Sequence, residues 1–236
     1  MVKINGVIAI PVYNESQTLA TVIRELKELF CIENLVFIDD GSRDGSDEIL
    51  KAAGVPYLQH PVNLGYEETL KTALHYTLAK DFAYVVFFDA DGQHRTGDLK
   101  NIINAFAAGN YDFILGSRYK NHKAQALSLR VLGTKVFSFL TSLYTHTRIT
   151  DSTSGLKLLS RDCIPFVLDL PTEDMHAELI AALARRGARI HEVMIEINPR
   201  IAGDSMYNLG KSLLYPARTL LCLVAGSLFT KKGKMA

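Results

Sequence analysis

Short apolar runs alternate with amphipathic stretches through the first half of the chain. Val7-Ile8-Ala9-Ile10 is an apolar run stopped by Pro11, and behind it Leu19, Val22, Ile23, Leu26, Leu29 and Phe30 recur at the spacing of one helix face. Asn14 or Ser16 is the expected cap of that helix. The pattern then repeats. Leu35-Val36-Phe37-Ile38 predicts a buried strand, Asp47 to Ala53 a helix with acids in its first turn, and Val55 to Gln59 a short third strand. Gly65 to Ala79 predicts a helix with Leu70, Ala73, Leu74, Thr77 and Leu78 inward and a Glu67–Lys71 pair outward. Tyr84 to Phe88 reads as a fourth strand, Asp98 to Ala108 as a helix and Asp112 to Leu115 as a fifth strand. Strands buried on both faces read as unbroken apolar runs. Their alternation with helices predicts an α/β fold with a mostly parallel sheet covered on both sides and right-handed crossovers.

Beyond Arg118 the alternation lapses. Tyr119 to Gln125 is polar and loop-like, and Leu127 to Tyr144 is an apolar helix carrying Arg130 and Lys135. Ser154 to Ser160 and Arg189 to Ile197 read as strands on either side of a helix near Glu173 to Arg186. Asn208 to Phe229 is largely apolar but is interrupted by Pro216, Arg218, Gly226 and Ser227 and followed by Lys231, Lys232 and Lys234. That stretch is too broken for a membrane span. It fits a helix lying in a membrane interface, or one packed on the domain or on a second subunit.

Composition narrows the classes. With 236 residues, 48% hydrophobic, the chain can bury one large core, and a net charge of +1 lacks the electrostatic footprint of a nucleic-acid binder. Cys31, Cys163 and Cys222 sit apart in apolar surroundings without metal-ligand spacing, which fits a reducing cytosol. Met1 to Gly6 carries no basic stretch followed by a long apolar run, so no signal peptide is evident.

The candidate chemistry lies at the strand ends. Tyr84-Val85-Val86-Phe87-Phe88 gives way abruptly to Asp89-Ala90-Asp91-Gly92-Gln93-His94. Two carboxylates one residue apart, with the Gln93 amide oxygen at the same spacing, suit a hard cation such as Mg²⁺ or Mn²⁺. Acidic strand ends are common, so the pair by itself reads first as a polar cap, and the neighbouring loops decide against that. Pro11-Val12-Tyr13-Asn14-Glu15 follows the first strand and Asp39-Asp40 the second, and in open α/β sheets such ends project into one crevice. There a carboxylate such as Asp40 can accept from a nucleobase N–H while Tyr13 lies against the base. Neither G-x-G-x-x-G after the first strand nor G-x-x-x-x-G-K-[ST] is present, so a nucleotide would be held by acids and a metal.

Taken in order, Ile10-Pro11-Val12-Tyr13-Asn14-Glu15, Asp39-Asp40-Gly41-Ser42-Arg43-Asp44-Gly45-Ser46, Asn63-Leu64-Gly65-Tyr66, Asp89-Ala90-Asp91-Gly92-Gln93-His94 and Gly116-Ser117-Arg118 resemble the family 2 glycosyltransferases of GT-A fold. Asp151-Ser152-Thr153-Ser154-Gly155 and Arg200-Ile201-Ala202-Gly203-Asp204-Ser205 are similar to the branch containing dolichol-phosphate mannosyltransferase and polyprenyl-phosphate hexosyltransferases. The resemblance covers roughly residues 5 to 207. It implies a single Rossmann-like GT-A domain over 1–207, with a nucleotide-sugar half over 1–118 and an acceptor half over 119–207, followed by a C-terminal amphipathic helical segment over 208–236.

The resemblance further implies that Pro11, Tyr13, Glu15 and Asp40 hold the nucleoside, with Asp39 supporting the loop. Asp89 and Asp91, with Ala90 between them and Gln93 beyond, would bind the divalent ion and the donor diphosphate. Arg200 and Ser205 would close over the phosphates, and Arg118 and Arg130 would meet an anionic acceptor, unless Arg118 only pairs with an acid and Arg130 is only a solvated charge. Asp91, Arg118 and Arg200 are the residues expected to carry catalysis. The implied reaction inverts the anomeric centre. It moves a hexose from a UDP- or GDP-sugar to a polyprenyl monophosphate at the cytoplasmic membrane face, with peripheral attachment or a homo-oligomer made through the last helix. The alternative acceptor is a saccharide hydroxyl in cell-surface polysaccharide synthesis, which needs a base from Glu173 or Asp174. His94 is assigned a structural role in its loop. The chain departs from the pattern in having Glu67 and Glu68 where relatives carry small residues, Arg95 and Thr96 in place of prolines, and Met206 in place of a lysine.

Overall fold

The computed structural model describes residues 1–119, 138–139, 141–143, 148–170 and 175–198. Chain order gives β1 (Val7–Val12), α1 (Leu19–Leu29), β2 (Leu35–Asp39), α2 (Ser46–Ala53), β3 (Tyr57–Gln59), α3 (Tyr66–Ala79) and β4 (Tyr84–Phe87). There follow α4 (Thr96–Ala108), β5 (Phe113–Ser117), β6 (Lys157–Ser160), α5 (Ile164–Leu168), α6 (Ala177–Arg185) and β7 (Ile190–Met194). The strands form one seven-stranded sheet in the order β3-β2-β1-β4-β6-β5-β7. The first four strands pair in parallel, β6 runs antiparallel to both β4 and β5, and β5 pairs in parallel with β7. The chain thus winds outward from β1 to β3, and α3 carries it back across the sheet to β4. That reversal opens a crevice beyond the carboxyl ends of β1 and β4.

Period-two alternation sorts each central strand between two cores. Ile8, Ile10 and Val12 of β1 pack with Leu19, Val22 and Leu26 of α1, Leu50 of α2 and Leu99, Ile102 and Ile103 of α4. Val7 and Ala9 point the other way, to Leu70, Ala73 and Leu74 of α3 and to residues of α5 and α6 such as Ile164, Leu179 and Leu183. Being buried on both faces, these strands hold apolar residues at every position.

Several expectations need correction. β1 does not stop at Pro11 but continues to Val12, with Pro11 paired to Ile38. The Ala9 carbonyl accepts from Phe88 on the β4 side, so the same-parity Pro11 turns its missing N–H toward β4, whose pairing with β1 ends at Phe87. No ladder bond is lost. Neither Asn14 nor Ser16 caps α1. Thr18 occupies the cap position without a side-chain capping bond, and the Thr18 and Leu19 N–H groups donate to the Glu15 carbonyl. The predicted Glu67–Lys71 pair is absent: Lys71 pairs with Glu68 at 2.6 Å, and Glu67 turns instead to the backbone of Met175. β6 is shorter than predicted and inserts between β4 and β5, so those two strands, consecutive in sequence, are not neighbours. β7 ends at Met194, and Ile197 makes only an isolated antiparallel bridge with His94. Among the described residues no helix is long and apolar enough to cross a membrane. The predicted loop over 119–125 and helix over 127–144 fall largely outside those residues, and the segment 208–236 entirely so.

Candidate active site

The loops after β1 and β2 are built from each other's hydrogen bonds. The Asn14, Glu15 and Ser16 N–H groups donate to Ser42 Oγ, Ser46 Oγ and Asp44 Oδ2, and the Arg43 N–H donates back to Asn14 Oδ1. Asn14 turns the chain in the left-handed region with φ 55°. The backbone polar groups freed where β1 ends are therefore satisfied by side chains of the neighbouring loop. Asp44 also accepts from Ser46; burial opposes ionisation, but these bonds prevail and hold its carboxyl below the ordinary value.

Asp39 and Asp40 divide their work. Fully buried Asp39 accepts from the Ser42 N–H at 3.1 Å and from Gln59 Nε2 at 2.9 Å, which fits the loop-supporting role. Asp40, also buried, accepts the Leu64 and Gly65 N–H groups at 2.9 and 2.8 Å and lies 2.7 Å from His60 Nδ1. Both of its oxygens are engaged in pinning the Asn63-Leu64-Gly65 turn. Gly41 completes the junction: its φ is +70°, and a Cβ there would stand 2.7 Å from the Val62 carbonyl carbon. Tyr13 stands exposed at the crevice mouth, Pro11 half-buried behind it.

The β4 tip faces this junction. The Ala90 carbonyl accepts from Thr18 Oγ1 at 2.8 Å, and the same hydroxyl lies 3.1 Å from Glu15 Oε2, so the β1 loop and the acidic loop share one anchor. Asp91 Oδ1 accepts the Gln93 N–H at 3.0 Å, and the Gln93 carbonyl accepts the Asn198 N–H at 2.8 Å. Asp89 Oδ1 accepts from the Tyr66 hydroxyl at 3.2 Å, while Oδ2 lies 3.6 Å from His94 Nε2. Burial would raise the Asp89 carboxyl. The hydrogen bond and charge of His94, with Lys157 and His176 nearby, outweigh that and hold it below the ordinary value. The carboxylate rests against Gly155, where any Cβ would collide with it.

These residues fit a divalent ion. The donors are hard oxygens, Asp89 is held in its ionised form, and His94 Nδ1 is buried without a hydrogen-bond partner among the described residues. No cluster of three His, Cys, Asp or Glu forms a closed cage among the described residues. A cation with two carboxylates and substrate phosphates is the usual arrangement for Mg²⁺ in nucleotide sites.

Arg118, at the end of β5, is locked to Asp151. Nε and Nη2 donate to the two carboxylate oxygens at 2.6 and 2.7 Å, Nη2 also reaches Thr153 Oγ1, and the Arg118 N–H adds a further bond to Asp151. Burial would lower the guanidinium, and Asp151 overrides it and raises it above its ordinary value. Glu192 of β7 supports the pair from below by accepting the Thr150 and Asp151 N–H groups and the Thr150 hydroxyl. Burial pushes the Glu192 carboxyl up.

A second cluster escaped the sequence reading. Lys157 in β6 is 1% exposed, and its ammonium donates to the Met175 carbonyl at 2.5 Å and approaches His176 Nδ1 at 3.3 Å. His176 lies parallel to Tyr66 with ring centroids 5.9 Å apart. Burial first, and then the Lys157 charge, hold that imidazole well below its ordinary value. The signal was present in Leu156-Lys157-Leu158-Leu159, a lysine inside an apolar strand. Arg130, Glu173, Asp174, Arg200 and Ser205 lie outside the described residues.

The family model described as Glycosyl transferase family 2 matches residues 7–165. The UDP-N-acetylglucosamine–dolichyl-phosphate N-acetylglucosaminyltransferase of Methanococcus voltae is 31% identical over 177 residues, covering 66% of this chain and 69% of that protein. The dolichyl-phosphate hexose transferase of Haloferax volcanii is 26% identical over 209 residues, covering 86% and 89%. In fold the chain matches glucosyl-3-phosphoglycerate synthase from Mycobacterium tuberculosis, solved with Mn²⁺, uridine diphosphate and phosphoglyceric acid. That match has a TM-score of 0.68 and 19% identity, over 92% of this chain and 77% of the other.

Proposed function

Since the chain belongs to glycosyl transferase family 2 and is a glycosyltransferase of GT-A fold, we propose that it moves a hexose from a UDP- or GDP-sugar to a polyprenyl monophosphate, inverting the anomeric centre. The observation that carries the proposal is the joining of three strand ends. Thr18 ties the Ala90 carbonyl to the Glu15 loop, and the Glu15 loop is hydrogen-bonded to the loop after Asp40. One extended ligand can span all three. The names of the two archaeal relatives, both dolichyl-phosphate sugar transferases, support the lipid phosphate as acceptor.

In this reading Pro11, Tyr13 and Glu15 flank the nucleoside, and Asp40 acts on it through the Leu64-Gly65 turn that it holds. Asp89, Asp91 and Gln93 would hold a Mg²⁺ or Mn²⁺ ion, which supplies charge stabilisation for the departing diphosphate. Arg200 and Ser205 belong to the motif expected to close over the phosphates. The anomeric carbon–oxygen bond to the nucleoside diphosphate breaks as an acceptor oxygen bonds from the opposite face. A phosphate monoester is largely ionised at neutral pH, so no strong general base is required. Asp151 and Thr153 occupy Arg118 Nε and Nη2, so Nη1 is the donor that Arg118 would turn to that anion. Work on a polyprenyl acceptor puts the enzyme at the cytoplasmic membrane face, attached peripherally.

The test is incubation of the full chain with UDP- and GDP-sugars, Mn²⁺, and either a polyprenyl phosphate or a soluble saccharide, with products identified by mass. A hexosyl-lipid phosphate is expected. Transfer to the saccharide with none to any lipid would replace this reading with a polysaccharide-directed one.

A further inference from the structure

Both backbone polar groups of Met175 are gripped from different elements. Its N–H donates to Glu67 Oε2 at 2.9 Å, from the first turn of α3, and its carbonyl accepts from buried Lys157 of β6 at 2.5 Å. Neighbouring His176 stacks on Tyr66, the residue before Glu67, and the Tyr66 hydroxyl donates to Asp89. The β6 side meets the end of β4 twice more: Lys157 pairs with Phe87, and Gly155, just before β6, underlies the Asp89 carboxylate.

We propose that Glu67 and Lys157 are positioning residues for Asp89, acting through the Met175–His176 backbone and the Tyr66 ring. The inference rests on the metal reading of Asp89 above. Glu67 fixes the start of α3 against Met175, and Lys157 fixes Met175 against the sheet. His176 and Tyr66 are thereby held face to face, with the phenol oxygen on Asp89 Oδ1. A buried ammonium is costly to place, and this one donates to the Met175 carbonyl and lies 3.3 Å from His176 Nδ1. Outer partners that orient metal ligands commonly change metal affinity by 10- to 100-fold when removed.

The experiment measures Mn²⁺ binding by electron paramagnetic resonance, alone and with UDP or GDP, for the parent, Glu67→Ala, Glu67→Gln and Tyr66→Phe, with thermal unfolding in parallel. Glu67→Ala and Tyr66→Phe should each weaken Mn²⁺ binding by about 10-fold or more. Glu67→Gln keeps an oxygen that accepts from Met175 and should restore most of the loss. Mn²⁺ binding at parental strength in Glu67→Ala and Tyr66→Phe overturns the inference, as does a Glu67→Gln variant as weak as Glu67→Ala. Tyr66→Phe removes a single hydroxyl and keeps the question answerable should Glu67→Ala fail to fold. Failure of the parent itself to bind Mn²⁺ overturns the metal reading and the inference together, whereas parental binding unchanged in the variants overturns the inference alone.

Discussion

The Asp89 carboxylate rests directly on the Cα of Gly155, in space that any side chain on residue 155 would occupy. The first acid of the Asp-x-Asp pair and the glycine of the Asp151–Gly155 motif are therefore two halves of one fitting, brought together across β4 and β6. A Gly155→Ala substitution must displace either the carboxylate or the β6 approach. Transfer is expected to fall by about 10²-fold, the loss typical of a misplaced reacting group, with Asp89 turned aside in the variant's crystal structure. Parental activity in Gly155→Ala would show that Asp89 has no fixed working position.

Arg118 and Asp151 are both largely out of water and satisfy each other bidentately. Asp151→Asn leaves a buried guanidinium without its counter-charge and should cost about 3 kcal/mol, measured by urea unfolding. Arg118→Lys keeps the charge but loses the fork, and is expected to raise KM for the lipid phosphate more than KM for the nucleotide sugar. Equal changes in both constants would remove Arg118 from the acceptor side.

Asp112 and Arg189 join the starts of β5 and β7, with Arg189 Nε and Nη2 on the two Asp112 oxygens at 3.0 and 2.8 Å. The Arg189 side chain is the main cause holding the Asp112 carboxyl below its ordinary value, against an opposing effect of burial. Because the folded pKa lies below the unfolded one, the contribution to stability is fully present above the unfolded carboxylate value. It disappears as pH falls through the folded value. The Tm difference between the parent and Arg189→Ala should be widest near neutral pH and close below about pH 4, near the ordinary aspartate value. A difference independent of pH would assign the effect to packing.

β1, β2 and β4 were legible in the sequence because strands covered on both faces carry apolar residues in unbroken runs, and for β2 and β4 the acidic ends mark where the run stops. The path through Pro11 was not legible, since it depends on which side of β1 lacks a partner at that level. The insertion of β6 between β4 and β5 is likewise a matter of non-local pairing. Asp40 invited assignment to a ligand, yet its partners are His60, Leu64 and Gly65, more than one element away. The local rule that pairs Glu67 with Lys71 fails for the same reason: a backbone N–H 108 positions along the chain competes for the carboxylate.

Asp91 accepts the Gln93 N–H within its own loop and belongs to neither apolar core. Asp91→Ala should keep the parental Tm within a few degrees and reduce transfer by about 10²-fold or more, the scale seen when one group stabilising transition-state charge is removed. Full activity in that variant would sever the acid pair from the reaction.

The most direct measurement is anomalous diffraction at the manganese edge from crystals soaked with Mn²⁺ and a sugar nucleotide. One strong peak is expected, bonded to oxygens of Asp89 and Asp91 and to the diphosphate, with the nucleoside beside Tyr13. A peak elsewhere, or a nucleotide bound away from the β1–β4 crevice with no metal on either carboxylate, would contradict this reading of the site.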